Sequence, residues 1–181
     1  MSTWMVVEDE PDIYEVLLAM FEMWGIEGVA FVEGEEAAAW IDDVDSGRFL
    51  GELPEMALID IRLPGPIKGH MVAQRLRQSP ALGHIAIVLI TAFKLTPDEY
   101  AEIMAFSGAD DLIYKPLPKF DDFKQRLETV LAQRRTAAAP APPAAAAAAG
   151  AANSKPAADA APSAPEPVSP EPVRRDKSDQ A

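Results

Sequence analysis

Short apolar runs alternate with helically spaced apolar residues along the first 135 positions. Thr3–Val7 is apolar and ends at Glu8-Asp9-Glu10-Pro11. Ile13, Val16, Leu17, Met20 and Phe21 follow at i, i+3, i+4, i+7 and i+8, the spacing of one helix face. Gly25 stops that helix. Gly28–Val32 reads as a strand, and Glu35 to about Asp45 as a helix. Met56–Ile59 is a buried strand ending at Asp60. Met71–Gln78 is helical and stops before Pro80. Ile85–Ile90 is six apolar residues in a row ending at Thr91, as expected of a central parallel strand covered on both faces. Thr96, with Pro97 at N1 and Glu99 at N3, opens a helix to about Phe106. Leu112–Tyr114 is the last strand, ending at Lys115-Pro116. Asp121 to about Arg135 is the last helix.

The order is strand then helix, five times. Such alternation predicts an α/β fold, a doubly wound (βα)5 five-stranded parallel sheet with helices on both faces. Right-handed crossovers leave few topologies. In such sheets ligands bind beyond the carboxyl ends of the strands. The polar residues there are Glu8 and Asp9, Asp60, Thr91 and Lys115.

Residues 136–181 are a different polymer. Their 46 positions hold 18 Ala and 9 Pro and no Leu, Ile, Met, Phe, Tyr or Trp. So little apolar surface cannot offset the entropy of ordering. The expected division is a folded domain over 1–135 and a disordered Ala/Pro-rich tail over 136–181. The tail carries a near-repeat, Glu166-Pro167-Val168 and Glu171-Pro172-Val173. It reads as a spacer or, less blandly, as a tether.

Net charge is -13 and the isoelectric point is about 4.5. The tail accounts for -1 of that charge and the first 135 residues for -12. An acidic balance disfavours direct DNA binding, which needs cations to neutralise phosphates. It also disfavours anionic lipid. There is no cysteine, hence no disulfide, thiolate metal site or Cys nucleophile. No signal peptide or membrane-inserting run is readable, so a cytoplasmic location is expected.

Each strand-end residue has a dull explanation. Carboxylates there can complement a helix N-terminus. Asp60 can serve a turn, Thr91 can bond its own main chain, and Lys115 can reach for solvent. Jointly they say more. Clustered carboxylates repel one another unless a cation neutralises them. Oxygen-only ligands, with no Cys or His at these strand ends, point to a hard ion, Mg2+ by preference. Thr91 and Lys115 add donors suited to a phosphoryl group. A carboxylate beside Mg2+ can itself be the nucleophile. His70 and His84 are isolated and make neither a metal pair nor a phosphohistidine.

Four segments carry a resemblance: Val6–Glu10, Ala57–Pro64, Val88–Ala92 and Tyr114–Pro116. Over about residues 3–132 the chain resembles the receiver domain of bacterial two-component response regulators, a flavodoxin-like fold. The resemblance implies that Asp60 is the phospho-acceptor. It implies Mg2+ held by Asp9 directly, by Glu8 through water, by Asp60 and by the backbone carbonyl of Arg62. Thr91 would turn its hydroxyl to the phosphoryl oxygen and Lys115 would pair with it. The Lys115–Pro116 peptide would be cis. The donor would be a histidine kinase or histidine phosphotransfer protein, and the output altered binding to a downstream protein. Such a chain is a self-phosphorylating acceptor with autodephosphorylation, not a turnover enzyme. A tail without core-forming residues holds no output domain, so a stand-alone regulator is expected.

The sequence also departs from the family. Leu112 stands where the family places a switch aromatic. Tyr114 shares its period-2 face, and packing of Tyr114 on the last helix is the expectation. The loop Pro64-Gly65-Pro66-Ile67-Lys68-Gly69 is one residue longer than usual. The resemblance places Arg62 and Phe93, two after the acceptor and two after the Thr, at positions that flank the route of attacking water. Two other readings stand: a phosphorylation-independent binding module, favoured by Leu112, and a haloacid-dehalogenase-type phosphatase. The second wants an acid two residues after the nucleophile, where Arg62 sits.

Overall fold

The computed structural model describes residues 2–138. The tail expected from Thr136 onward therefore lies outside the described residues beyond Ala138. The strands are β1 (Thr3–Val7), β2 (Glu27–Phe31), β3 (Met56–Asp60), β4 (Ala86–Thr91) and β5 (Asp111–Tyr114). The helices are α1 (Pro11–Trp24), α2 (Gly34–Asp45), α3 (Gly69–Gln78), α4 (Pro97–Ser107) and α5 (Phe120–Ala138). All pairings are parallel, in the order β2-β1-β3-β4-β5.

Side chains alternate across each strand, and both faces are dry. Met5, Val7, Ala57, Ile59, Ile87 and Leu89 pack under α2 and α3, against Ile41, Val72 and Leu76. Trp4, Val6, Leu58, Val88, Ile90 and Ile113 pack under α1 and α5, against Leu17, Phe21, Phe123 and Leu127. The central strands β1, β3 and β4 are buried throughout, which explains why their sequences are apolar runs and not alternations.

Local signals set most boundaries. Pro11 opens α1, and Gly25 ends it in the left-handed region at φ 72°. The Thr96–Glu99 capping box opens α4: Glu99 N–H donates to Thr96 Oγ1 at 3.3 Å, and Thr96 N–H to Glu99 Oε2 at 2.8 Å. Most ends fall within one residue of expectation, and two differ by more than that. α3 starts at Gly69, two residues earlier than expected; Lys68 at its N-cap makes no side-chain cap bond, so no capping residue marks that start. α5 runs to Ala138 because Ala137 and Ala138 are strong helix formers.

Gly69 also seats α3 on the sheet. A Cβ there would lie 1.8 Å from the Asp60 carbonyl oxygen. Gly69→Ala must therefore push α3 off β3. It is expected to destabilise the fold by about 2 kcal/mol, within the usual cost of overpacking, read from the urea midpoint.

Candidate functional site

The strand ends are pinned by main-chain bonds. Glu8 N–H donates to Phe31 O at 3.0 Å, Ile61 N–H to Ile90 O at 2.9 Å, and Lys115 N–H to Thr91 O at 2.7 Å. With the parallel β1–β3 pairing, these bonds bring the ends of β1, β3, β4 and β5 to a common edge. Glu8, Asp60 and Thr91 are buried there, at 1%, 5% and 1% exposure, while Asp9 is exposed.

Lys115 is the centre of the crevice. Its ammonium donates to Glu8 Oε1 at 3.0 Å, to Glu10 Oε1 at 2.7 Å and to Asp60 Oδ2. Burial alone would lower the Lys115 pKa. Bonds to Asp60, Glu10 and Glu8 outweigh it and hold the ammonium above its usual range. The other Asp60 oxygen, Oδ1, accepts from Arg62 N–H at 2.8 Å. Thr91 Oγ1 accepts from Phe93 N–H at 3.2 Å. Two of the dull roles, a turn for Asp60 and a local bond for Thr91, are thus present alongside the convergence.

Carboxylate oxygens of Glu8, Asp9 and Asp60 lie within 4.8 Å of one another. Burial, and then the charge of Asp60, push the Glu8 carboxyl up to about 7. Its Oε2 is buried with no hydrogen-bond partner among the described residues. An all-oxygen cluster with an orphaned buried acceptor fits a hard divalent cation. Arg62 follows Asp60 by two residues, and its guanidinium lies 3.8 Å over the Phe93 ring.

Glu10 was not among the expected site residues, although it belongs to the same acidic run. Its pairing with Lys115 spans 105 positions and has no signature in sequence. The Lys115–Pro116 peptide is cis, as expected. Leu112 is buried in the core under α3 and α4. Tyr114 is 41% exposed and lines a groove with Ala92, Lys94 and Leu95. His70 and His84 contribute nothing to the cluster. His70 lies edge-on to Phe106, with centroids 5.5 Å apart.

The fold and site define a doubly wound α/β domain with an acidic, lysine-centred crevice at the carboxyl edge of its sheet. The chain belongs to the response regulator receiver domain family of two-component systems, whose family model matches residues 4–128. The transcriptional regulatory protein AruR of Pseudomonas aeruginosa is 34% identical over 139 residues, 76% of this chain and 52% of that protein. The probable transcriptional regulator ycf27 of Cyanophora paradoxa is 32% identical over 133 residues, 73% of this chain and 48% of that one. The chain thus spans about half the length of the curated relatives it matches. A putative response regulator from Chloroflexus aurantiacus superposes with a TM-score of 0.58 at 30% identity, over 72% of this chain and 98% of that one. A sensor-kinase receiver domain from Pseudomonas aeruginosa, solved with magnesium in its active-site cleft, gives a TM-score of 0.59 at 22% identity, over 72% and 98%. Among the described residues, no helix is long and apolar enough to cross a membrane.

Proposed function

We propose that Asp60 accepts a phosphoryl group from the phosphohistidine of a histidine kinase or histidine phosphotransfer protein. The receiver then signals by altered binding to a downstream protein. The observation that carries this reading is the Lys115 ammonium bonded to Asp60 inside a cluster of three carboxylates. An Asp60 carboxylate oxygen attacks phosphorus, the P–N bond to the donor histidine breaks, and the imidazole leaves with the bonding pair and takes up a proton. The Lys115 ammonium, still protonated, then pairs with the phosphoryl oxygens in place of the bare carboxylate. Glu8, Asp9, Asp60 and the Arg62 carbonyl would hold Mg2+, which when bound offsets charge developing on the transferring group. Hydrolysis of the acyl phosphate resets the acceptor, so the protein is consumed and regenerated as a signal carrier. The acidic balance of -13 supports a protein target over nucleic acid.

Incubation with Mg2+ and a small acyl phosphate is expected to add one phosphoryl mass, and EDTA to prevent it. An unchanged mass in both conditions would defeat the reading. Thr91 supplies the contact that distinguishes the two states. Thr91→Ala is therefore expected to gain the phosphoryl mass normally while losing at least tenfold of the phosphorylation-dependent gain in affinity for a captured target. Full phospho-dependence in that variant would remove Thr91 from the switch. Equal target affinity of the wild type with and without the phosphoryl group would favour the phosphorylation-independent module.

A further inference from the structure

Glu10 uses its backbone and its side chain for different tasks. Its carbonyl accepts the N–H groups of Ile13 and Tyr14 at 3.1 and 2.9 Å, which opens α1. Its N–H donates to Glu8 Oε1 at 3.2 Å. Its side chain makes no cap bond to the helix. Oε1 instead accepts from the Lys115 ammonium at 2.7 Å. A pair of exposed charges contributes little. This pair differs, because the Glu10 side chain is 55% exposed but that of Lys115 only 7%.

An ammonium has three N–H donors. Those of Lys115 meet three carboxylates, of Glu8, Glu10 and Asp60. Glu8 and Asp60 belong, with Asp9, to the cluster that fits a divalent cation, and Glu10 lies outside it. A cation drawing on Glu8 and Asp60 competes with the ammonium for the same two side chains, and the two positive charges repel. An ammonium released from both, with no other acceptor, would leave buried donors unpaired, which is costly. Glu10 supplies the acceptor. It is bonded already, and its exposure leaves it room to follow the ammonium.

We propose that Glu10 is the positioning residue of Lys115. When Glu8 and Asp60 turn to a divalent cation, Glu10 keeps the ammonium at the rim of the crevice, so that lysine and cation are held there together. Without the Glu10 carboxylate, the ammonium stays on Glu8 and Asp60 and competes with the cation. This role rests on the cation reading of the cluster, not on phosphoryl transfer. It keeps Lys115 within reach of a group carried by Asp60.

The test is a calorimetric Mg2+ titration of the full chain, as wild type, Glu10→Met, Lys115→Met and the double variant. Glu10→Met is expected to weaken Mg2+ binding at least fivefold. In the Lys115→Met background the same change is expected to cost less than twofold, because no ammonium remains to be held and the field of an exposed charge is screened. Equal losses in both backgrounds would reduce Glu10 to its charge alone and overturn the role, as would no loss in either. A second readout does not depend on the folding of Lys115→Met. With 15N-labelled lysine, an exchange-protected Lys115 ammonium resonance, assigned by Lys115→Arg, is expected to survive Mg2+ saturation in the wild type and to disappear in Glu10→Met. Its survival in Glu10→Met, or its loss from the wild type, overturns the role. A wild type that binds no Mg2+ overturns the cation reading with it, whereas the Asp60 acceptor reading stands or falls separately on the phosphoryl mass.

Discussion

Lys115→Met is expected to destabilise the metal-free protein by about 3 kcal/mol, the low end of the cost of removing one partner from a buried ion pair. The Lys115 side chain is 7% exposed, and its partners Glu8 and Asp60 are 1% and 6% exposed. Without the ammonium, two buried carboxylates face each other with no counter-charge. Methionine keeps the apolar stem and so separates the charge from the packing. The loss is expected to shrink as Mg2+ is raised, because a divalent cation neutralises the same oxygens. Urea midpoints with and without Mg2+ measure it. An equal loss in both conditions would show that Lys115 is not the counter-ion of this cluster.

Asp60→Asn is expected to eliminate phosphoryl incorporation altogether, because an amide oxygen is a poor nucleophile at phosphorus. The variant keeps the shape of the side chain, and Lys115 keeps Glu8 and Glu10 as partners, so the fold is expected to persist. Removing one of three clustered carboxylates also weakens Mg2+ binding, by at least tenfold if each charge contributes about 1.4 kcal/mol. Mass spectrometry and a magnesium titration read the two effects separately. Retained incorporation would move the acceptor to Asp9, the exposed member of the cluster.

The fold was legible because burial on both sheet faces leaves an unmistakable run such as Ile85–Ile90, and because glycine and proline mark the ends of α1 and α4. The residues at the crevice were legible for a related reason. A parallel sheet sends every strand end to one edge, so polar residues that close apolar runs must meet. What stayed hidden depends on side-chain reach. Asp60 and Thr91 themselves belong to β3 and β4, since a polar residue at a strand end still pairs through its backbone. Glu10 bonds a lysine 105 positions away along the chain. The Arg62–Phe93 stack joins two loops whose approach is set by α3 and α4. Gly69 mattered for its missing Cβ, which only the proximity of the Asp60 carbonyl reveals.

The central claim is that the phosphoryl group resides on Asp60. Borohydride reduction of the freshly phosphorylated protein converts an aspartyl phosphate to homoserine, and peptide mapping locates that residue. The predicted result is homoserine at position 60 alone, formed with Mg2+ and absent with EDTA. Homoserine at position 9, or none at any aspartate despite a phosphoryl mass gain, would contradict it.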